Sequence, residues 1–139
     1  MIKRFKLVHP LALSVLLSFL ALGALQAAGL KTQTNREGSV TVKVTPGNLS
    51  STATSWDFEV TISSHTTELD QDMQSVAVLV ADASDAQPPL AWNGDPPGGH
   101  HRKGILRFQP PQESPSSVEL HIRGIGGVSR RVFRWRLGE

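Results

Sequence analysis

Trp56-Asp57-Phe58-Glu59-Val60-Thr61-Ile62 places large apolar side chains at every second position and polar ones between them. Successive side chains of an extended chain point to opposite sides, so this stretch reads as a strand with one buried face and one solvated face. The same period of two returns on either side of it. Val40, Val42 and Val44 alternate with Thr41 and Lys43 until Pro46-Gly47-Asn48 stops the run. Downstream, Val118, Leu120 and Ile122 alternate with Glu119, His121 and Arg123. After a hairpin turn at Gly124-Ile125-Gly126-Gly127, Phe133, Trp135 and Leu137 alternate with Arg134 and Arg136. Residues 105–108 form a short strand ended by Pro110-Pro111, and residues 76–80, apolar throughout, read as a central strand covered on both faces. Six short strands, turn-rich connections and no amphipathic helix predict an all-β fold, an antiparallel immunoglobulin-like β-sandwich preceded by a signal-peptide helix. A partly open barrel is the competing architecture. Residues 69–74 suit at most one helical turn. Trp56 and Trp135 lie on apolar strand faces and belong to the core, whereas Trp92 follows Pro88-Pro89 in a loop.

The chain begins with Lys3, Arg4 and Lys6, continues through uncharged residues 11–25, and reaches the small residues Ala27, Ala28 and Gly29. This is the pattern of a secretory signal peptide cleaved after Ala27 or Ala28. The apolar core is shorter than the roughly 20 residues that span a bilayer, so no membrane span is expected after cleavage; an uncleaved anchor is the competing reading. The chain therefore divides into a signal peptide at 1–28, a flexible lead-in at 29–38 and a sandwich at 39–139, in a periplasmic or secreted protein. Its lack of cysteine excludes lipoprotein acylation, disulfides, thiolate metal ligands and cysteine nucleophiles.

Three of the 14 basic residues leave with the leader, so 11 bases face 12 acids in the rest. That balance does not support nucleic-acid binding. The charges are segregated: residues 29–100 hold 3 bases and 9 acids, residues 101–139 hold 8 bases and 3 acids. Segments of opposite sign in one small domain are expected to pair across strands, with a charged docking surface as the alternative.

Candidate chemistry concentrates in two segments. His65 follows the Trp56 strand in a stretch rich in oxygen donors, including Asp70 and Asp72. His100 and His101 end a long connection, residues 83–104, that carries Trp92, Asp95, four glycines and Arg102. If the 76–80 strand runs the depth of the sandwich, the two segments sit at opposite ends, unless the 22-residue connection folds back. In the folded-back case His65, His100, His101, Asp70 and Asp72 make a nitrogen and oxygen donor set suited to copper(II) or zinc. The plainer alternative is that one imidazole pins the loop through a backbone carbonyl. Trp92 has the chemistry to stack on Arg102 or on a sugar ring, and Asp95 to close the loop on Arg102. His121, between Glu119 and Arg123, reads as an exposed cross-strand partner. No Gly-x-Ser-x-Gly elbow or nucleophile–base spacing occurs, so no catalytic residue is assigned and an enzyme is not expected.

Trp56-Asp57-Phe58-Glu59-Val60, Ser64-His65-Thr66, Leu69-Asp70-Gln71-Asp72, Leu90-Ala91-Trp92-Asn93-Gly94, Gly98-Gly99-His100-His101-Arg102-Lys103-Gly104 and Arg130-Arg131-Val132-Phe133-Arg134-Trp135 together resemble a group of small exported bacterial proteins. The Gly-Gly-His-His-Arg block is the most specific part. The resemblance implies a single exported β-domain and brings no mechanism with it. The loop also looks like those of periplasmic copper-handling β-sandwiches, but this chain lacks their methionine-rich ligand stretches. Two functions are expected from these readings. The first is divalent metal binding by the histidine loops. The alternative is an interaction module that meets an envelope protein or glycan through residues 92–102.

Overall fold

The computed structural model of the chain describes residues 29–138. The signal-peptide helix lies outside them. Eight strands and one helical turn follow in order: β1 Gln33–Glu37, β2 Val40–Pro46, β3 Trp56–Ser64, α1 Met73–Val76, β4 Ala77–Ala81, β5 Ala91–Gly94, β6 His101–Phe108, β7 Ser117–Ile125 and β8 Val128–Arg136. All pairings are antiparallel, in a five-stranded sheet β1-β2-β3-β6-β5 and a three-stranded sheet β4-β7-β8. Strands β2-β3-β6-β5 against β4-β7-β8 reproduce the ABED and CFG order of an immunoglobulin constant-type sandwich, and β1 is added as a hairpin beside β2. Among the described residues no helix is long and apolar enough to cross a membrane.

The period-two strands bury the faces expected of them. Val40, Val42 and Val44, then Trp56, Phe58, Val60 and Ile62, meet Val118, Leu120, Ile122, Phe133 and Trp135 across the interface, all nearly inaccessible. Phe58 sits at the centre, edge-on to Phe108 with ring centroids 5.7 Å apart and 5.6 Å from Trp135. Leu69 and Met73 plug one end of this core. Trp56 and Trp135 are core residues whose indole N–H groups donate to Ser50 O at 3.1 Å and Lys31 O at 2.7 Å. Among the described residues one buried cluster draws on both sheets, a hydrophobic core of the kind that lets a domain of about 110 residues fold by itself.

Four local expectations are corrected. Residues 29–38 are not a flexible lead-in: they contain β1, whose polar residues sit at a sheet edge and bury little. The primary amide of Gln33 donates to Arg134 O at 2.5 Å and accepts from Arg134 N at 3.2 Å, satisfying both main-chain groups of one residue on the edge of β8 and tying the two sheets together. The 76–80 run is not a central strand. It forms β4, an edge of the smaller sheet, with Val78 and Val80 half-buried on the outer face. Residues 83–104 are not a structureless loop, because β5 and the first turn-side half of β6 lie within them. The signal was hidden by Gly94 and Gly104, which pair directly; a Cβ on Gly104 would fall 2.6 Å from the Trp92 ring that lies over both. Finally, His121 is buried, not exposed: its strand is the centre of the three-stranded sheet, where Val78 and Val132 flank it, and its Nε2 is 2.7 Å from Glu119 Oε2.

The β7–β8 hairpin closes through Gly126-Gly127 with φ of 62° and 74°, the left-handed pair that a two-residue turn of the right twist requires. A Cβ on Gly126 would also collide with the Val40 side chain, whereas nothing lies near one on Gly127. Gly127→Ala is expected to cost about 1–2 kcal/mol through backbone handedness, and Gly126→Ala to cost more. Urea unfolding of both variants checks the order.

Asp82, in a left-handed turn after β4, accepts from the backbone N–H and hydroxyl of both Ser116 and Ser117 at 2.9–3.3 Å. These bonds, led by the Ser116 N–H, hold its carboxyl below the usual carboxylate range. Asp57, bonded twice by Arg107 at 2.9 and 2.8 Å, is lowered chiefly by that side chain. A carboxylate with a depressed folded pKa contributes stability above its unfolded pKa of about 4, and that stability is lost as pH falls through the folded value. The thermal midpoint is therefore expected to drop below about pH 4, and Asp82→Asn to flatten that drop. Melting curves from pH 7 to 2 read both.

Candidate functional site

The β3–α1 connection, the β5–β6 loop and the β1–β2 and β7–β8 hairpins meet at one end of the sandwich. The objection from opposite ends disappears because β5 carries the long connection back along the molecule. Ser63 pairs with His101 across β3 and β6, and Ser64 N donates to His100 O at 2.9 Å, so both histidine segments lie on one rim.

Ser64 organises the first segment. Its hydroxyl accepts from Thr66 N and Thr67 N at 3.2 and 3.0 Å and donates to Ser39 O at 2.8 Å. Two further bonds stitch the segments together: Leu69 N donates to Gly99 O and Gly98 N to Leu69 O, each at 2.8 Å. Gly98 and Gly99, with φ of 119° and 73°, supply the left-handed path that permits this.

Arg102 is the centre of the arrangement. It shares the inner face of β6 with Leu106 and Phe108 and is 1% exposed. Its Nη1 donates to Leu69 O at 3.2 Å and Gln71 O at 2.6 Å, its Nη2 donates to Asp95 O at 3.2 Å, and the guanidinium lies 5.8 Å from the Trp92 ring centroid. Burial pulls its pKa below the ordinary value, while the Asp95, Asp72 and Asp70 carboxylates push it back. The guanidinium therefore stays charged and acts as a clip between two loops. Arg102 Nε and Gln71 Oε1 are buried without hydrogen-bond partners among the described residues.

The remaining candidate residues have distinct surroundings. Trp92 is half-buried against the core, and its Nε1 donates to Asp95 O at 2.9 Å. Asp95 Oδ2 accepts from Lys103 N at 2.8 Å, so Asp95 meets Arg102 through its carbonyl and closes the loop through its carboxylate. Asp72 caps α1: Oδ1 accepts from Gln74 N at 3.1 Å and Oδ2 from the Ser75 hydroxyl at 2.6 Å. Asp70, His65 and His101 are exposed. His100 Nδ1 lies 2.9 Å from Thr67 O; a carbonyl only accepts, so Nδ1 donates, and Nε2 makes no hydrogen bond among the described residues. Among the described residues no group of three or more histidines, aspartates or glutamates converges on a metal position.

No family model, curated protein or solved structure matches the chain. The arrangement itself therefore carries the functional argument. Sequence reasoning found the two histidine segments but missed Ser64 and the carbonyls of Leu69 and Gln71. It also left unused a signal that was present: Arg102, Leu106 and Phe108 share parity on one strand, which already places the guanidinium on the buried face.

Proposed function

We propose that this chain is an exported, non-enzymatic binding module that meets an envelope protein or glycan through the loop end of the sandwich. The observation that carries the reading is the Arg102 clip: one buried guanidinium holds three carbonyls on two loops. This leaves Pro96, Pro97, His100, His101 and His65 exposed on a pre-shaped rim. Preorganised loops lose less conformational entropy on binding, which is the benefit of burying a charge there. Fold-level analogy adds support: the strand-B-to-C and F-to-G connections of immunoglobulin variable domains form their recognition loops, and the β3–α1 segment and β7–β8 hairpin occupy those positions. Trp92 and Arg102 serve this surface from beneath it.

A photo-reactive residue at Pro97 tests the reading, with the same probe at Gln112, on the opposite end, as control. Capture of one envelope protein or glycan from Pro97 only, weakened by Trp92→Ala, is the expected result. Equal capture at both positions overturns it.

His100 is exposed and bonded through Nδ1 alone, which favours a second reading, capture of copper(II) or zinc by His65, His100 and His101 with an oxygen donor. Asp70 is the available carboxylate, since both oxygens of Asp72 are engaged. The donors would have to close around the ion. Copper(II) and zinc titration followed by histidine ring NMR separates the two: unchanged His65 and His100 signals at equimolar metal end the metal reading and leave the module intact.

A further inference from the structure

The two outer faces of the sandwich treat charge in opposite ways. On the five-stranded sheet, cations meet acids across β3 and β6: Lys103 Nζ is 3.5 Å from Glu59 and Arg107 is bonded to Asp57 at 2.8 Å. On the three-stranded sheet, Arg123 stands directly opposite Arg130, and neither side chain has a hydrogen bond or ion pair among the described residues. A like-charge cross-strand pair opposes sheet formation. Arg134 and Arg136 continue the row along β8, exposed, with Val132 between them and Arg130 at 39% exposure. The acids on and beside this face are engaged: Glu119 is shared between His121 and Arg134, and Asp82 at its edge is bonded by Ser116 and Ser117. Arg123 and Arg130 thus stand without a carboxylate partner among the described residues, in a domain whose bases and acids nearly balance.

We propose that this β7–β8 face docks on the phosphate headgroups of an anionic lipid surface. Complementarity of charge and shape selects that occupant. Arg123 and Arg130 face each other across β7 and β8 with Arg134 further along β8, its side chain 65% exposed, a group whose planar guanidiniums fork onto phosphate oxygens. An exposed valine among them adds apolar contact at the headgroup boundary. A glycan would call for an aromatic platform, and the indoles are turned elsewhere: Trp56 and Trp135 are buried and Trp92 lies over glycines.

The test uses residues 29–139, since the apolar residues 11–25 would seek any bilayer. Co-sedimentation is measured with vesicles of phosphatidylcholine alone and of phosphatidylcholine with 30% phosphatidylglycerol. Binding to the anionic vesicles only, falling with added salt, is expected. Arg123→Gln/Arg130→Gln is expected to weaken it about 25-fold, at about fivefold per arginine near an anionic surface. The control Arg36→Gln/Lys43→Gln removes the same charge from the other sheet and is expected to change binding less than threefold. Melting curves confirm that both variants fold, and His100→Ala, on the loop end, is expected to bind vesicles normally. Equal losses in the two double variants, equal binding to neutral vesicles, or binding to an acidic polysaccharide but not to phosphatidylglycerol each overturn the proposal.

Discussion

Arg102→Ala is expected to lower the unfolding free energy by about 3 kcal/mol, since removing a buried donor group leaves its acceptors dry and opens a cavity. The acceptors do not suffer equally. Leu69 O keeps the Gly98 N–H and Asp95 O keeps the Trp92 indole, whereas Gln71 O loses the shorter of the Nη1 bonds, at 2.6 Å. The loss should therefore appear first as local opening. In hydrogen exchange, the Leu69 and Gly98 amides are expected to lose protection well ahead of the β2–β3 ladder. Arg102→Lys is not expected to rescue them, because an ammonium cannot reach carbonyls on both loops at once. Unchanged protection at Leu69 and Gly98 in Arg102→Ala would show that the loops hold without the clip, and the preorganised rim would fall with it.

Phe58→Ala carries the largest expected effect on the whole domain, about 3–5 kcal/mol. Phe58 is fully buried and touches aromatic rings on both sheets, Phe108 on its own and Trp135 on the other. Neither sheet can collapse into the space without losing its register to the other. A domain of this size has about 5–15 kcal/mol in total, so the urea midpoint should fall by about a fifth or more. Val132→Ala, at 39% exposure on the outer face, is the contrasting case, expected within about 0.5 kcal/mol. Similar midpoints for the two variants would contradict the aromatic bridge.

Most of the fold was legible before the structure, for a local reason. The strands at Trp56, Val118 and Phe133 each declare their inner face through alternation, and the glycines at 124–127 announce the hairpin between the last two. The misreadings have a common cause. Polar β1, valine-rich β4 and glycine-bearing β5 are all edge strands, and an edge strand's composition follows its neighbours more than its own period. The candidate site was half legible. His65, His100 and His101 stood out as side chains, but the main-chain groups that hold their loops carry no signature in residue type.

Charge segregation shows the same division. The expected cross-strand pairs exist where β3 meets β6, at Glu59–Lys103 and Asp57–Arg107. On β7 and β8, Arg134 pairs with Glu119 of its own segment, whereas Arg123 and Arg130 stand opposite each other. The list of residues alone determined that this protein is an antiparallel sandwich with buried tryptophans and two histidine-bearing loops, since side-chain parity is a property of a few consecutive residues. Only the tertiary structure decided that those loops share a rim, that Arg102 lies beneath it and that one sheet sets Arg123 against Arg130 on its outer face. Those outcomes depend on strand order and register, set by pairing between segments far apart in the chain.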